Sequence, residues 1–295
     1  MPGVRERLAR LLGTDVVSLH DLGSSHAWTL HRASLGDGRD VFVKALARAA
    51  DAPSAGVFAA EAAGLRWLGE TGPDAPVAGV VAADEHLLVL PWLPSAPPDP
   101  AAAERLGREL AALHTTARPD AYGAPWPGFI ADLPLDNTPD GRGWPRWYAE
   151  RRLAPFVPLA APHLAGADVR LVERVVDGIE SLAGPAEPPS RIHGDLWSGN
   201  VRWTGGRAVL IDPAAHGGHR ETDLAMLALF GAPLLDRILA AYDEAAPLAP
   251  GWRARVPLHR LHPLLVHVAL FGASYRASLM DAVRAALGGS SASNR

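Results

Sequence analysis

The chain has 295 residues, of which 48% are hydrophobic and 20% charged, and its formal net charge is −4. This composition is that of a globular protein with enough apolar surface for a core, and it excludes disordered and fibrous chains. The slightly acidic balance provides no global positive field for nucleic acid or anionic lipid, and the lack of Cys excludes disulfides, thiolate metal sites and cysteine nucleophiles.

Neither a targeting segment nor a membrane span is predicted. Residues 1–13 are charged and amphipathic and lack the apolar run of a signal peptide. The apolar stretch Leu224–Leu235 is shorter than the ~18 residues of a membrane-spanning helix. We therefore expect a cytoplasmic protein, consistent with the lack of Cys, with neither a nucleic-acid nor a membrane partner. A monomer is the expectation for its oligomeric state, which the sequence leaves open.

Residues 1–93 predict a small, mainly β lobe that contains one important helix. Apolar runs bounded by Gly and Pro predict its strands, and apolar residues at helical spacing predict its helices. The predicted elements are a helix over 4–12, strands over 15–20, 28–33 and 40–45, a helix over 55–69 and strands over 77–82 and 86–90. The sequence Gly36-Asp37-Gly38 predicts a hairpin turn between the second and third strands.

A Pro-rich segment, Pro91–Pro100, marks the join to a larger, mainly helical lobe over 94–295. Asp99 and Pro100 predict the N-cap and first position of a helix that extends to about Ala117. Further helices are predicted over 144–154, 166–183, 220–230, 233–246, 252–271 and 273–287, with a β-like island over 192–212. The fold class predicted is therefore α+β, in two lobes.

The strongest chemical signal is the segment His193-Gly-Asp-Leu-Trp-Ser-Gly-Asn200, followed by a hairpin and then Asp212. Phosphoryl transfer needs one carboxylate that accepts the proton of the attacking hydroxyl, and an Asn and a second carboxylate that hold Mg²⁺. We expect two parallel β segments joined by a tight turn to bring Asn200 and Asp212 side by side. The alternative is that Asp195 and Asn200 are turn formers in a Gly-rich loop, but the complete set favours a kinase.

Lys44 is the only lysine of the chain and ends an apolar strand. Glu61 follows seventeen residues later, in the next predicted helix. A strand Lys paired with a helix Glu holds the α- and β-phosphates of ATP in kinases. The alternative is a solvated lysine at the end of a strand.

The segment Leu22–Trp28 lies where a phosphate-covering loop belongs. Ser24 and Ser25 would offer hydroxyls and backbone amides to phosphate. The segment has one Gly where such loops have three, so an ordinary turn is the alternative.

Four segments together resemble the fructosamine/ketosamine-3-kinase family, which has the aminoglycoside-phosphotransferase and protein-kinase-like fold. They are HGDLWSGNV, the IDPA after its hairpin, GHRETDLAMLALFG over 218–231 and FGASYR over 271–276. The resemblance implies a small antiparallel β N-lobe with one key helix, a larger helical C-lobe, and ATP and Mg²⁺ in the cleft between them. It further implies phosphorylation of the third-carbon hydroxyl of a small-molecule or protein-bound ketosamine, whose product decomposes and frees the amine.

The resemblance also implies the roles of individual residues. Asp195 would be the catalytic base, Asn200 and Asp212 the Mg²⁺ ligands, Lys44 and Glu61 the phosphate-binding pair, His193 a structural support of the catalytic loop, and Asp223 an acceptor of backbone N–H groups from that loop. Trp197 would stack on a sugar or simply pack, and His219 and Glu221 are candidate substrate-pocket residues.

The sequence departs from the family at two places. Where relatives often have an acidic residue, Leu90 is followed by Pro91, but Pro91 keeps its carbonyl and Leu93 its N–H, so both can still bind adenine. The segment 135–137 also differs, which leaves the exact substrate open. Two alternatives therefore remain: another kinase of this fold that acts on an aminoglycoside, choline or homoserine, and a non-catalytic nucleotide-binding protein.

Overall fold

The computed structural model describes residues 3–25, 27–46 and 56–292. Its N-lobe is built on a five-stranded antiparallel sheet with the strand order β1-β2-β3-β5-β4. The strands are β1 Val16–Ser25, β2 Trp28–Leu35, β3 Asp40–Leu46, β4 Ala82–Ala83 and β5 Leu87–Pro91, and the helices are α1 Val4–Leu12 and α2 Val57–Gly69. The small β lobe with one central helix is thus confirmed; residue 55, where that helix was expected to begin, lies outside the described residues.

The pleat of β3 determines which side chains face the cleft. Successive side chains of a strand point to opposite faces of the sheet. Val41 and Val43 pack on the face covered by Leu8 of α1, whereas Phe42 belongs to the opposite face, against α2. Lys44 is two residues after Phe42 and points to the same face, so the Lys44 ammonium lies on the α2 side of the sheet.

Two N-lobe expectations need correction. The segment Leu22–Trp28 is not a free loop, because β1 continues to Ser25 and pairs Ser24 with Thr29 and Ser25 with Trp28; His26 lies outside the described residues. The segment 77–82 is not a strand of the sheet for most of its length. Its backbone bonds to the C-lobe instead: the amide of Ala78 donates to the carbonyl of Leu210 at 2.9 Å.

The C-lobe is mainly helical. Its α-helices are α3 Pro100–Thr115, α4 Trp144–Tyr148, α5 Val157–Ala160, α6 Gly166–Asp177, α7 Ile179–Leu182, α8 Arg220–Leu227, α9 Leu235–Ala245, α10 Trp252–His259, α11 Leu261–Phe271 and α12 Arg276–Ala292. The predicted cap is present, since the Asp99 carboxylate accepts from the amide of Ala102 at 2.9 Å. None of the helices in the described ranges is both long and apolar enough to cross a bilayer.

The helix expected over 252–271 is broken into α10 and α11. Pro263 lacks an N–H, and its ring crowds the carbonyl four residues earlier, which is that of His259. The Tyr148 hydroxyl lies 3.1 Å from the carbonyl of Leu258 and 3.3 Å from that of His259. The proline thus accounts for the break, and tyrosine satisfies the released carbonyls.

Short strand pairs connect the helices and form part of the cleft. They are β6 Gly128–Ile130 with β7 Leu133–Leu135, β8 Ser190–Ile192 with β11 His216–Gly218, and β9 Val201–Thr204 with β10 Arg207–Leu210. The parallel pairing expected around Asn200 and Asp212 is wrong: β9 and β10 are antiparallel, as a two-residue turn requires. The hairpin nevertheless returns the chain to Asn200, whose carbonyl accepts from the amide of Ile211 at 3.0 Å.

Candidate active site

The loop between β8 and β9 brings Asp195 and Asn200 together at the floor of the cleft. The side-chain nitrogen Nδ2 of Asn200 lies 2.9 Å from the backbone carbonyl oxygen of Asp195 and 3.1 Å from the Asp195 carboxylate oxygen Oδ2. Gly194 has a φ of +81°, and a Cβ there would lie 2.3 Å from the carbonyl oxygen of Ala214. Only glycine permits this close turn, which sets the position of Asp195.

Asp223, near the start of α8, holds this loop from below. Its buried carboxylate accepts from the amide of His193 at 2.7 Å and from the amide of Gly194 at 2.9 Å. Two charge-assisted hydrogen bonds to adjacent backbone amides fix the direction of the loop just before Asp195. This is the contact that the resemblance implied.

His193 connects the catalytic loop to the segment that carries Asp212. Burial lowers the pKa of His193, so the ring is neutral near pH 7. Its Nδ1 accepts from the amide of Asp195 at 3.3 Å, and its Nε2 donates to the carbonyl of Ile211 at 2.9 Å. One donor and one acceptor are what a neutral imidazole offers, and both are used to hold the residues beside the site.

His114, which no sequence motif indicates, extends this support. Its Nε2 donates to the Asp223 carboxylate at 3.1 Å, and its Nδ1 lies 2.9 Å from the Tyr242 hydroxyl. All three side chains are fully buried. His114 lies in the last turn of α3 and Tyr242 belongs to α9, so two helices of the C-lobe are joined to the catalytic loop.

Lys44 pairs with two carboxylates. Its ammonium nitrogen lies 2.8 and 2.9 Å from the two oxygens of Glu61 and 2.7 Å from Oδ1 of Asp212. Burial alone would lower the pKa of Lys44, but the charges of Asp212 and Glu61 outweigh it and raise the pKa, so the ammonium stays charged. The predicted Lys–Glu pair is therefore present and is shared with Asp212.

Asp212 has an unusual backbone and an accessible side chain. Its φ is +57°, a left-handed conformation that is uncommon for a residue other than glycine. Its side chain is 45% exposed at the cleft although Lys44 contacts one oxygen. Strained backbone of this kind is concentrated at functional sites.

The environment of Asp195 suits a residue that accepts a proton. Burial at the cleft floor and the nearby charge of Asp212 raise the pKa of Asp195 to about 7, although the Asn200 hydrogen bond opposes the shift. A general base works best when its pKa is close to the working pH.

Both lobes line the cleft above Asp195. The N-lobe contributes Ser25, Trp28 and Glu61, and the β6–β7 hairpin contributes Phe129 and Ile130. Ser24, next to Ser25, is exposed and is not part of this lining. At the end of β5, Leu90 is buried in the sheet, Pro91 is exposed and Leu93 packs on the α2 side, so their contact with adenine stays a prediction.

His219 and Glu221 do not reach the cleft, and the substrate-pocket expectation for them is not supported by their position. Both are buried, and the Arg255 guanidinium bonds both carboxylate oxygens of Glu221. His219 caps α8 by accepting from the amide of Glu221 at 3.2 Å. Their donor atoms and those of His259 lie within 4.8 Å of one another, but the guanidinium already occupies the carboxylate, so the cluster is a buried ion pair rather than a metal site.

Trp197, for which the sequence leaves stacking on a sugar and simple packing open, lies at the cleft near aromatic residues that the sequence did not predict. It lines the cleft with 40% of its surface exposed, and its ring lies 6.5 Å from that of Phe230. His262, His267 and Phe271 of α11 line the same cleft. The sequence signal for these neighbours is the pair of Phe-Gly motifs at 230 and 271.

Taken together, the two-lobed fold, the Lys–Glu pair and the Asp–Asn loop define a protein-kinase-like phosphotransferase. An aminoglycoside phosphotransferase crystallised with AMP-PNP and hygromycin B superimposes with a TM-score of 0.66 at 16% identity, over 97% of this chain and 100% of the other. At that identity the likeness shows the fold alone. A candidate fructosamine-3-kinase from Thermobifida fusca superimposes with a TM-score of 0.92 at 54% identity, over 97% of this chain and 99% of the other.

The chain belongs to the fructosamine kinase family. The family model for fructosamine kinase matches residues 13–288. A probable ketoamine kinase of Thermus thermophilus is 35% identical over 81% of this chain and 86% of its own length. A probable ketoamine kinase of Escherichia coli is 33% identical over 86% of each. The protein is thus an enzyme, a phosphotransferase that acts on a sugar hydroxyl.

Proposed function

We propose that the protein transfers the γ-phosphoryl group of ATP, in a Mg²⁺-dependent reaction, to the third-carbon hydroxyl of a ketosamine. Residues 1–93 would form the nucleotide-binding lobe and residues 94–295 the catalytic and substrate-binding lobe. The observation that carries this proposal is the position of Lys44, which contacts both Glu61 and Asp212 at the cleft that contains Asp195.

The residues present fit a nucleotide and a magnesium ion. The buried ammonium of Lys44 offers a positive charge for phosphate oxygens. Because the side-chain nitrogen Nδ2 of Asn200 donates toward Asp195, the side-chain oxygen Oδ1 is left for a metal, and Asp212 supplies a carboxylate. Oxygen donors of this kind suit Mg²⁺, which when bound would neutralise charge on the phosphates.

Asp195 would accept the proton of the sugar hydroxyl. Its pKa of about 7 makes it a competent base near neutral pH. Asn200 and the backbone contacts of Asp223 and His193 hold its carboxylate in place. Catalysis would then come from alignment and charge neutralisation, because phosphoryl transfer asks little covalent chemistry of the protein.

Further contacts belong to the same proposal. Ser25 lines the cleft at the tip of the β1–β2 hairpin and would contact phosphate, with Ser24 beside it. The backbone over 90–93 would bind adenine. Phosphate on the third carbon would make the product unstable, so that it decomposes and frees the amine. This reaction would deglycate small-molecule or protein-bound ketosamines in the cytoplasm.

The test is a transfer assay with fructosyl-lysine as acceptor, read by mass spectrometry for the added phosphate. Kanamycin and choline are run in parallel with Mg²⁺–ATP. We expect phosphate on fructosyl-lysine only, and only when Mg²⁺ is present. Transfer to kanamycin or choline but to no ketosamine would agree with the assigned phosphotransferase activity and contradict the proposed ketosamine substrate.

A further inference from the structure

We infer that a row of aromatic rings beside the catalytic loop binds the amine substituent of the ketosamine, and that this subsite selects an apolar or aromatic substituent over a negatively charged one. The inference rests on the proposed function and specifies its substrate. We call the row the aromatic wall; its members are Trp197, Phe230, His267, Phe271 and Tyr275.

The aromatic wall is one contiguous packed surface. Phe230 contacts Trp197 at a ring-centroid distance of 6.5 Å and His267 at 5.0 Å. His267 continues the row to Tyr275 at 4.8 Å and to Phe271 at 5.5 Å. Since Trp197 follows Asp195 by two residues, the wall begins at the catalytic loop and leads away from it.

Three rings of the wall are exposed although they are large and apolar. Trp197, Phe230 and Phe271 are 40%, 41% and 54% exposed. Among the residues that the structure describes, six large hydrophobic side chains are this exposed, and three of them lie in this one place. A clustered apolar surface next to a catalytic group marks a ligand-binding surface, whereas scattered single residues would need no explanation.

His262 is a neutral ring in the lining of the same cleft. It lies on α11, which also carries His267 and Phe271, and it lines the cleft with only 7% of its surface exposed. Its Nε2 is buried and has no hydrogen-bond partner. Burial and the charge of Arg152 lower the pKa of His262, so the ring is neutral. Because Nε2 is closed to solvent, it is not a contact for the ligand, and the ring contributes to the cleft lining as a neutral surface.

The charges of the cleft specify the substituent. Of the described residues that line it, Glu61, Asp195 and Asp212 are acidic and none is Lys or Arg, although the chain has 27 Arg. The secondary amine of a ketosamine is protonated at neutral pH, and aromatic faces and carboxylates both stabilise such a cation. The cation beside these carboxylates is Lys44, which already contacts Glu61 and Asp212. A carboxylate next to the substrate amine would therefore find no further Lys or Arg among the described residues that line the cleft. The apolar substituent beyond the amine would lie on the aromatic wall.

The experiment compares three ketosamines of fructose, derived from benzylamine, methylamine and glycine. We expect kcat/KM of the wild-type enzyme for the benzylamine derivative to exceed that for the glycine derivative by about tenfold or more. Phe271→Ala and Phe230→Ala should each lower kcat/KM for the benzylamine derivative by about fivefold to tenfold, through KM. For the methylamine derivative the change should be less than about twofold, because its substituent does not reach the wall.

Leu159→Ala is the matched control, because Leu159 is 46% exposed and lies outside the wall; it should leave all three substrates unchanged. Equal use of the benzylamine and glycine derivatives, or Phe271→Ala and Phe230→Ala variants that match wild type on the benzylamine derivative, would overturn the subsite alone. Failure to phosphorylate any ketosamine would overturn the proposed function and the subsite with it.

Discussion

The ammonium of Lys44 lies 2.7 Å from the carboxylate of Asp212, although 168 residues separate them in the chain. Lys44 belongs to β3 of the N-lobe, and Asp212 follows β10 of the C-lobe. The contact therefore crosses the cleft and holds the two lobes together at the point where phosphates would bind. The same ammonium contacts Glu61, so one cation organises two carboxylates.

Lys44→Arg should lower kcat by about 10²-fold or more with the fold intact, because the planar guanidinium cannot replace a compact ammonium between two carboxylates. The measurement is steady-state turnover of fructosyl-lysine, with circular dichroism and thermal melting as the check on folding. Wild-type turnover of a folded Arg variant would show that Lys44 does not contact phosphate.

Asp212→Ala should abolish Mg²⁺-dependent binding of ATP, because it removes the carboxylate proposed to hold the ion. The melting temperature of the nucleotide-free protein should change by only a few degrees, since the Asp212 side chain is 45% exposed. Isothermal titration with Mg²⁺–ATP measures the loss. Undiminished affinity in this variant would remove Asp212 from the metal site.

Asp195→Asn should lower kcat by ~10²–10⁴-fold with little change in ATP affinity, because the amide keeps the shape of the carboxylate but cannot accept a proton. In the wild type, kcat/KM should fall about tenfold per pH unit below the pKa of Asp195, which is about 7, because only the ionised form is a base. A flat acid limb down to pH 5 would argue against this assignment.

The same substitution should stabilise the nucleotide-free protein at alkaline pH. The pKa of Asp195 is about 7 in the folded protein, above the value of about 3.9 expected when unfolded. Its protonated form therefore favours folding below the unfolded pKa, and this contribution is lost as pH rises through about 7. Asparagine is neutral at every pH, so the variant does not lose this stability as the pH rises. The melting temperature of Asp195→Asn should exceed that of wild type at pH 8 by more than it does at pH 4; an equal difference at both pH values would contradict the burial of this charge.

His114→Phe should lower kcat while leaving KM for ATP unchanged, because it removes the donor that orients the carboxylate of Asp223 beneath the catalytic loop. The free energy of unfolding should fall by about 1–3 kcal/mol, as expected when a buried polar partner is left unsatisfied. Tyr242→Phe removes only the outer hydrogen bond and should have a smaller effect on both quantities. Equal kcat values for the wild type and the His114 variant would limit His114 to a structural role.

The chemistry of the phosphate site could be predicted because its residues occur in short, ordered motifs. Asp195 and Asn200 share one loop, and a two-residue turn returns the chain to Asp212. Lys44 and Glu61 are placed by the parity of one strand and the start of the next helix. Short motifs along the chain therefore predict most of the phosphate site.

Contacts between distant segments could not be predicted in the same way. His114 meets Asp223 across 109 residues, and no local pattern indicates that pairing. The sequence suggested that Glu221 contacts substrate, but the fold places Arg255, 34 residues later, against the Glu221 carboxylate. The break at Pro263 follows from proline chemistry, but the long apolar pattern on either side of it favoured one helix.

The burial of Lys44 also bears on the exposure of the enzyme to sugars. Ketosamines form when an unprotonated primary amine attacks a sugar carbonyl, and exposed lysines are the usual sites of that reaction in proteins. Here the only lysine of the chain is buried and is kept protonated by two carboxylates. Surface cations are arginines instead, which have no such amine. Under the proposed function, an enzyme that works among glycating sugars thus offers them no exposed lysine amine, and its own surface is poorly suited to become its substrate.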